Sequence, residues 1–575
     1  MAILLDYRVR FAVFGGLTLA LYLNTVCPAV HFWDTAEIIS AAWSLGIPHP
    51  PGFPLYTLLG RVVIAAGILS PAISMNILSA FSGAGAVVLT LFIFRELENG
   101  RETIGGYLAA ALFALGNNLW MQSVRAEVYA FNILLLGISL VSFFRFKKMK
   151  DFRLFIAGLY FWGLSAVTHT ASAAASFIPF LILGLGNGAW KIFNRKKILV
   201  CFVIIILAFS ASLYLPIRSS LKPDINWGQP TTFDKFWSMI TAREFAFTIN
   251  FKGSDQFYAR MVTNWKMLSA ALPLLPLIFT IAGIVRWRKK SFLILLFVFG
   301  LSIAFMREEL PYPDHLGYLL LSAFVLAVWT GSGFNGLTSY LSRRKQIKLI
   351  SKRIEGFISI VLIAIMIVPF FLVQYPRHNL RESRWADKLG RDIIEPLPLS
   401  SIVMFNDISS YFICRYLQVV EGLRNDCDIV LPGLLSGGSK SKNWYLNELN
   451  KRTAVSGLNQ LPPSETGVIA RIIEANHTTR PVYCEYGDDF RPFAQYLQPE
   501  GILFKVELIP DSAISVNPDY RFPNKIEFKD DRGAALAFAE RIYAKGLYYL
   551  DIGENEKAER AFQAAFTLSG DIREE

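Results

Sequence analysis

Apolar runs, several of about 17–25 residues, divide the first two-thirds of this chain. A run of that length crosses the ~30 Å hydrocarbon core of a bilayer as a helix. Eleven segments read as spans: roughly 11–27, 72–94, 104–120, 127–145, 154–168, 171–189, 198–216, 265–285, 291–306, 315–332 and 355–374. Residues 55–70 are apolar too, but Arg61 lies among them, so they read as an interfacial or re-entrant helix. Composition agrees, with 53% hydrophobic and 18% charged residues and a mean hydropathy of +0.39. The first run follows Arg8 and Arg10 and lacks a small-residue cleavage site, which marks it as an uncleaved span. The fold class expected is a polytopic α-helical membrane protein.

A net charge of +12 would suggest nucleic acid in a soluble chain. Here the basic residues cluster between apolar runs, so topology accounts for them and no nucleic-acid partner is expected. With the N-terminus in the cytoplasm, the cytoplasmic segments hold 23 Lys and Arg and the outward loops 8. That bias sets orientation. An odd number of spans then carries everything after residue 374 to the outer side, as it does the loops 28–56 and 217–263.

The remainder of the chain is less apolar. Residues 375–530 read as a soluble α/β region, with strands at 401–405, 428–431 and 480–484 and a helix at 409–422. Residues 531–575 read as a helical hairpin, because Gly546, Tyr549, Gly553, Ala558, Phe562 and Ala565 fall at tetratricopeptide spacing. One such repeat cannot bury its own face. It needs a neighbour, for which 534–544 is a candidate, or a continuation. Cys414 and Cys427 could pair in an oxidising space or remain free thiols; the spacing leaves both open.

The loop 28–56 carries no Lys or Arg, yet holds two carboxylates and two histidines. Asp34 and Glu37 share one face of a helix, where they could do acid–base work or hold a cation. The same spacing fits a capping box, with Asp34 as N-cap and Glu37 at the third helical position. His49-Pro50-Pro51-Gly52-Phe53-Pro54 is stiffened by its prolines and suits either an imidazole held against a phosphate or a simple turn.

The stretch Pro28…Trp33-Asp34-Thr35-Ala36-Glu37-Ile38…Gly46-Ile47-Pro48-His49-Pro50-Pro51-Gly52-Phe53-Pro54-Leu55-Tyr56 resembles the signature of a membrane family long catalogued as a domain of unknown function. That transmembrane protein 260 family includes the plexin- and Met-receptor-type protein O-mannosyltransferase. Arg125-Ala126-Glu127-Val128-Tyr129, Thr168-His169-Thr170, Tyr214-Leu215-Pro216-Ile217-Arg218 and Asn226-Trp227-Gly228 extend the resemblance over roughly residues 10–330. It implies a GT-C-like fold in a bacterial-type member, with about eleven transmembrane helices over 1–374 in the inner membrane. Catalysis is then expected on the periplasmic side, from a carboxylate in the first outward loop.

On that reading a polyprenyl-phosphate-linked sugar, with mannose inferred from relatives, is transferred to Ser/Thr hydroxyls of exported proteins. Asp34 is the expected general base, and Glu37 its reserve or orienting partner. Arg218 is the first choice for the donor phosphate, followed by Arg125, His49, His169 and Arg307. Arg125 has Glu127 as an alternative partner, and Arg218 could instead anchor a span end. Asn226 and Trp227 are candidates for lining the sugar or acceptor cleft. No metal is assigned, although two carboxylates could hold magnesium or manganese. The rivals are a transferase acting on a lipid or cell-wall glycan and a polyprenyl-lipid transporter. Spans poor in central charge, without a two-fold hydropathy repeat, argue against transport.

Overall fold

The computed structural model describes residues 6–186, 188–244, 253–269, 274–306, 312–343, 352–436, 442–507, 520–523, 527–528 and 531–569. The helices begin with α1 (Tyr7–Thr25), α2 (Thr35–Ser44), α3 (Pro54–Ala65), α4 (Pro71–Leu97), α5 (Ile104–Leu115), α6 (Asn117–Ser123) and α7 (Val128–Met149). Next come α8 (Phe152–Thr168), α9 (Thr170–Leu185), α10 (Arg195–Phe209), α11 (Tyr214–Ser220) and α12 (Phe233–Ile240). The apolar part ends with α13 (Gly253–Ser269), α14 (Leu274–Arg286), α15 (Ser291–Met306), α16 (Tyr312–Tyr318), α17 (Leu320–Arg343) and α18 (Lys352–His378).

Every apolar run read from the sequence overlaps helix among the described residues. Among the described residues, five helical stretches are long and apolar enough to cross a membrane: 71–97, 128–149, 195–220, 320–340 and 357–378. Six shorter apolar helices accompany them, α3 among them. At about 1.5 Å per residue α3 rises only ~18 Å, short of the hydrocarbon thickness, which suits the interfacial reading of 55–70. Several runs are interrupted rather than continuous. The run 104–120 breaks at Gly116 into α5 and α6, and 315–332 spans the junction of α16 and α17. Small residues let helices cross closely. A side chain at Gly283 would lie 1.8 Å from the Trp329 carbonyl, and one at Gly333 1.9 Å from that of Phe279, so α14 and α17 touch backbone to backbone.

After α18 come α19 (Trp385–Ile394), β1 (Ile402–Met404), α20 (Ile408–Glu421), β2 (Asp428–Val430), α21 (Lys442–Arg452), α22 (Glu465–Asn476), β3 (Val482–Cys484), β4 (Leu497–Glu500) and β5 (Leu503–Val506). The sheet order is β2-β1-β3-β5-β4. β2, β1 and β3 are parallel, and β5 and β4 add antiparallel edges. The three expected strands and the helix between the first two are present, and the β4–β5 hairpin is additional. Cys414 and Cys427 are both free, buried thiols.

Helices α23 (Arg532–Asp551) and α24 (Asn555–Ser569) form the terminal hairpin. Gly546 faces the Phe562 ring, so a Cβ there would lie 2.6 Å from it, and Ala558 and Ala565 are buried. The stretch 534–544 is not a separate neighbour for the hairpin. It is the first half of α23 itself, and it packs through Phe538 on Trp385 and Phe528.

Candidate active site

Three layers meet at α2. Asparagine and tryptophan side chains hold the chain entering it: Asn76 donates to the Cys27 and Ala29 carbonyls, and Trp120 to the Thr25 hydroxyl. The C-terminal end of α2 reaches Leu45 in the left-handed conformation, leaving carbonyls that need donors. Arg218 supplies them, its Nε 2.7 Å from the Leu45 oxygen and its Nη2 3.1 Å from that of Ser44. The Tyr214 hydroxyl donates to the Gly46 carbonyl at 2.8 Å. The segment 214–218 therefore clamps the end of α2. Helix α20 of the α/β unit lies on α2 from the other side, and the Ser409 hydroxyl accepts the Trp33 N–H at 2.8 Å.

Asp34 sits at the N-cap of α2, but its carboxylate makes no capping bond. Glu37 likewise does not reach back to close a capping box. Its Oε1 accepts the His49 backbone N–H at 2.8 Å, and its Oε2 lies 2.5 Å from His49 Nδ1. His49 Nε2 is 3.6 Å from Asp34 Oδ2. The imidazole thus bridges a fully buried carboxylate and one whose side chain keeps 27% exposure. Burial disfavours the imidazolium, but the Asp34 and Glu37 carboxylates outweigh it and hold the His49 pKa up at about 10. Burial pushes the Glu37 carboxyl up, against the pull of His49.

Backbone strain marks the same loop. Trp33 and Phe53 carry φ of +63° and +41°, uncommon for bulky residues. Gly52, at φ +86°, occupies a site where a Cβ would lie 2.7 Å from Leu215, so glycine answers both the backbone and the space.

Arg125 and Glu127 enter from the start of α7, and Asp314 from α16. Arg125 is fully buried, with Nη1 3.2 Å from Glu127 Oε1 and Nη2 4.0 Å from Asp314 Oδ1. Asp34, Glu127 and Asp314 offer oxygens all within 4.8 Å of one another, as do ligand atoms of Asp34, Glu37 and His49. Hard divalent cations take such oxygen sets, and the Arg125 guanidinium already offsets part of the charge. Burial raises the Glu127 pKa to about 7 against the pull of Arg125. Burial, with Asp34 and Glu127 nearby, also raises that of Asp314.

The other expected site residues have structural partners. His169 caps α9, with Nδ1 2.8 Å from the Ser172 hydroxyl and its ring against Tyr129 and Tyr318. Asn226 pairs through its backbone with Ile47 in an isolated parallel bridge. Trp227 is buried, 6.4 Å from the His49 ring and 4.8 Å from Trp444 of the α/β unit, and its indole N–H donates to Glu244. Arg307 lies outside the described residues. Sequence reading used Glu127 only as a partner for Arg125 and missed Asp314. The sole signal for Asp314 was a carboxylate immediately before the apolar run 315–332.

An apolar groove of about 450 Å³ runs beside this cluster, lined by Pro51 of the loop with Trp162, Thr170, Ala174, Phe177 and Trp237.

Apolar helices beneath an acid-lined loop, joined to a small α/β unit, define a GT-C-like membrane fold. The crystal structure of ArnT from Cupriavidus metallidurans bound to undecaprenyl phosphate shares this fold. Its TM-score is 0.52 at 12% identity, over 89% of this chain and 99% of that one. Residues 34–191 match the profile described as the protein O-mannosyl-transferase TMEM260 N-terminal domain. Protein O-mannosyl-transferase TMEM260 of Mus musculus is 26% identical over 475 residues, 77% of this chain and 64% of its own. The Dictyostelium discoideum protein of the same name is 21% identical over 523 residues, 82% of this chain and 62% of its own. The chain thus spans a little under two-thirds of the length of these relatives.

Proposed function

We propose that this protein is a membrane glycosyltransferase that moves a sugar, mannose by analogy with its relatives' names, from a polyprenyl phosphate to Ser/Thr hydroxyls of exported proteins. The observation that carries the reading is Asp34: a partly exposed carboxylate, not used for capping, backed by a buried Glu37–His49 pair. A hydroxyl is a poor nucleophile, and a positioned base takes its proton as it attacks the anomeric carbon. Asp34 is that base. Glu37 is a positioning residue that fixes the orientation of the protonated His49 ring, and His49 orients Asp34.

The undecaprenyl phosphate named for ArnT supports a lipid-linked donor. The donor's isoprenoid chain occupies the groove lined by Trp162 and Phe177, with its phosphate toward Pro51, the lining residue that belongs to the carboxylate loop. Arg218 contributes by holding the end of α2. The active site and the α/β unit face the outside of a bacterial inner membrane, an orientation that the Lys and Arg bias of the loops supports.

The test is to incubate purified protein with polyprenyl-phosphate mannose, polyprenyl-phosphate glucose and free nucleotide sugars, offering exported proteins and lipid glycans as acceptors. Mass spectrometry of the products is expected to place one hexose on Ser or Thr, from the lipid-linked mannose alone. Transfer only to lipid or glycan would replace the acceptor in this reading. Turnover with nucleotide sugars would overturn the donor.

A further inference from the structure

A second cavity, of about 520 Å³, opens where the segment after α11 meets α20, β2 and α21. It shares no lining residue with the apolar groove, and its walls are mostly charged or amide-bearing. The side chains sort by what they already hold. Arg452 is bound to Glu448 at 3.2 Å and to the Ile429 carbonyl. Asp428 is bound to Arg480 at 2.7 Å. Those two lining carboxylates are therefore in use.

Arg415 is different. It is only 7% exposed, and its guanidinium reaches the Gln418 amide oxygen at 2.9 Å and the Asp224 backbone carbonyl at 3.4 Å. Its Nε has no hydrogen-bond partner, and among the described residues no carboxylate forms an ion pair with it. A buried guanidinium held by neutral oxygens alone is poorly compensated. Burial and the neighbouring Arg452 accordingly lower its pKa. The exposed residues Lys222 and Lys451 also line the cavity, with the exposed Asp224 as the opposing charge. Asn226 lines it too, and its side-chain oxygen is buried without a donor.

We propose that this cavity binds a carboxylate of the acceptor polypeptide, an Asp or Glu side chain near the hydroxyl to be glycosylated, with Arg415, Lys222 and Lys451 as its cations. Arg415 receives the oxyanion at Nε, and the Asn226 oxygen accepts a backbone N–H of the same peptide. The site is connected to the chemistry. Ile47 N–H donates to the Ile225 carbonyl at 2.7 Å and Trp227 N–H to the Ile47 carbonyl at 2.9 Å, so the cavity wall is joined to the chain two residues before His49. The donor lipid has its own apolar groove, which leaves this polar cavity to the polar substrate. The assignment of the ligand to an acceptor rests on the transferase reading above; the anion site itself does not.

The experiment measures binding without turnover, using the full chain in nanodiscs and fluorescent Thr-containing peptides that differ only in Asp, Asn or Lys near the Thr. The Asp peptide is expected to bind about tenfold more tightly than the Asn peptide, the scale of one charge-assisted contact. High salt should weaken that preference, and inorganic phosphate should compete. In Lys222→Gln/Lys451→Gln, whose changes lie on exposed side chains, and in Arg415→Gln, the preference should fall to within about twofold. If Arg415→Gln fails to fold, the lysine pair decides. Equal binding of the Asp and Asn peptides, an undiminished preference in the lysine pair, or binding of phosphate but not of the acidic peptide would each overturn the proposal. A protein that selects the Asp peptide yet transfers no sugar retains this site and loses the transferase reading. One that transfers mannose without charge preference does the reverse.

Discussion

Asp34 and Glu37 stand one helical turn apart, yet they reach His49 from opposite ring nitrogens. The division of labour proposed for them follows from exposure, since the Glu37 side chain is sealed and Asp34 is open to a substrate. Asp34→Asn keeps the size and the contact with His49 but cannot accept a proton. It should lower transfer by roughly 10²–10⁴-fold, the range for losing a general base, with unchanged membrane insertion and some loss of melting temperature, because the Asp34 charge helps hold the His49 ring protonated; near-normal turnover would remove Asp34 from the mechanism. Glu37→Gln tests the support. The His49 pKa is raised from 6.5 to about 10, so the protonated ring stabilises the fold fully below pH 6.5, and that contribution disappears as pH climbs through about 10. Without the Glu37 charge, burial opposes the imidazolium with less to counter it. Histidine-selective NMR should then show His49 titrating well below 10; a value still near 10 would assign the shift to Asp34 alone.

Helix α23 ties the chain's end to its beginning. Asp531 caps it through the Ala534 N–H at 2.9 Å, accepts the Ser383 hydroxyl, and lies 3.6 Å from His31 Nε2. Two residues on, a Cβ at Gly533 would sit 2.8 Å from the Trp33 ring, beside Asp34. Asp531→Ala should cost about 1–2 kcal/mol, a lost cap plus an orphaned Ser383, read as a lower melting temperature. Burial works against the Asp531 carboxylate, but His31 and Ser383 hold its pKa below the usual range, so its contribution persists above pH ~4 and is lost as pH falls through that lowered value. Gly533→Val should go further and displace Trp33, cutting transfer even where the hairpin remains folded; wild-type activity in that variant would uncouple the tail from the loop. Such contacts are where sequence reading stops. Helices and the three strand positions were legible because periodicity and β-branched runs are local, and the Asp34–His49 motif was legible because it is contiguous. Arg218 looked like a free cation because nothing local announces that the Leu45 left-handed turn leaves carbonyls in need of a donor. The β4–β5 hairpin was hidden because Leu497-Gln498-Pro499-Glu500 carries a proline and weak β character.

At the scale of the whole molecule, two of the cavities among the described residues lie near the carboxylate loop, one touching it at Pro51 and one joined to it through the Ile47–Ile225 bond. The groove touching Pro51 is apolar, and the cavity touching Asn226 is polar. This division is what a transferase joining a lipid-borne donor to a water-borne acceptor requires, because each substrate must approach the reacting carbon from its own solvent. A transporter would instead pass one ligand along one path. The groove also sets a test of donor chemistry that leaves the carboxylates untouched. Ala174 lines the groove with an exposed methyl, so Ala174→Trp fills it without burying a new group in the helix bundle. An isoprenoid excluded from the groove moves into bilayer lipid as apolar as the groove itself, so it loses only fitted packing contacts, on the order of 0.1–0.2 kcal/mol per atom pair. The KM for a long-chain polyprenyl-phosphate sugar should rise several-fold, while that for a two-isoprene donor, too short to fill the groove, changes little. Binding energy held equally in ground and transition states moves KM and leaves kcat alone. A fall in kcat with unchanged KM for both donors would mean that the introduced indole distorts the loop through Pro51 and that the lipid lies elsewhere.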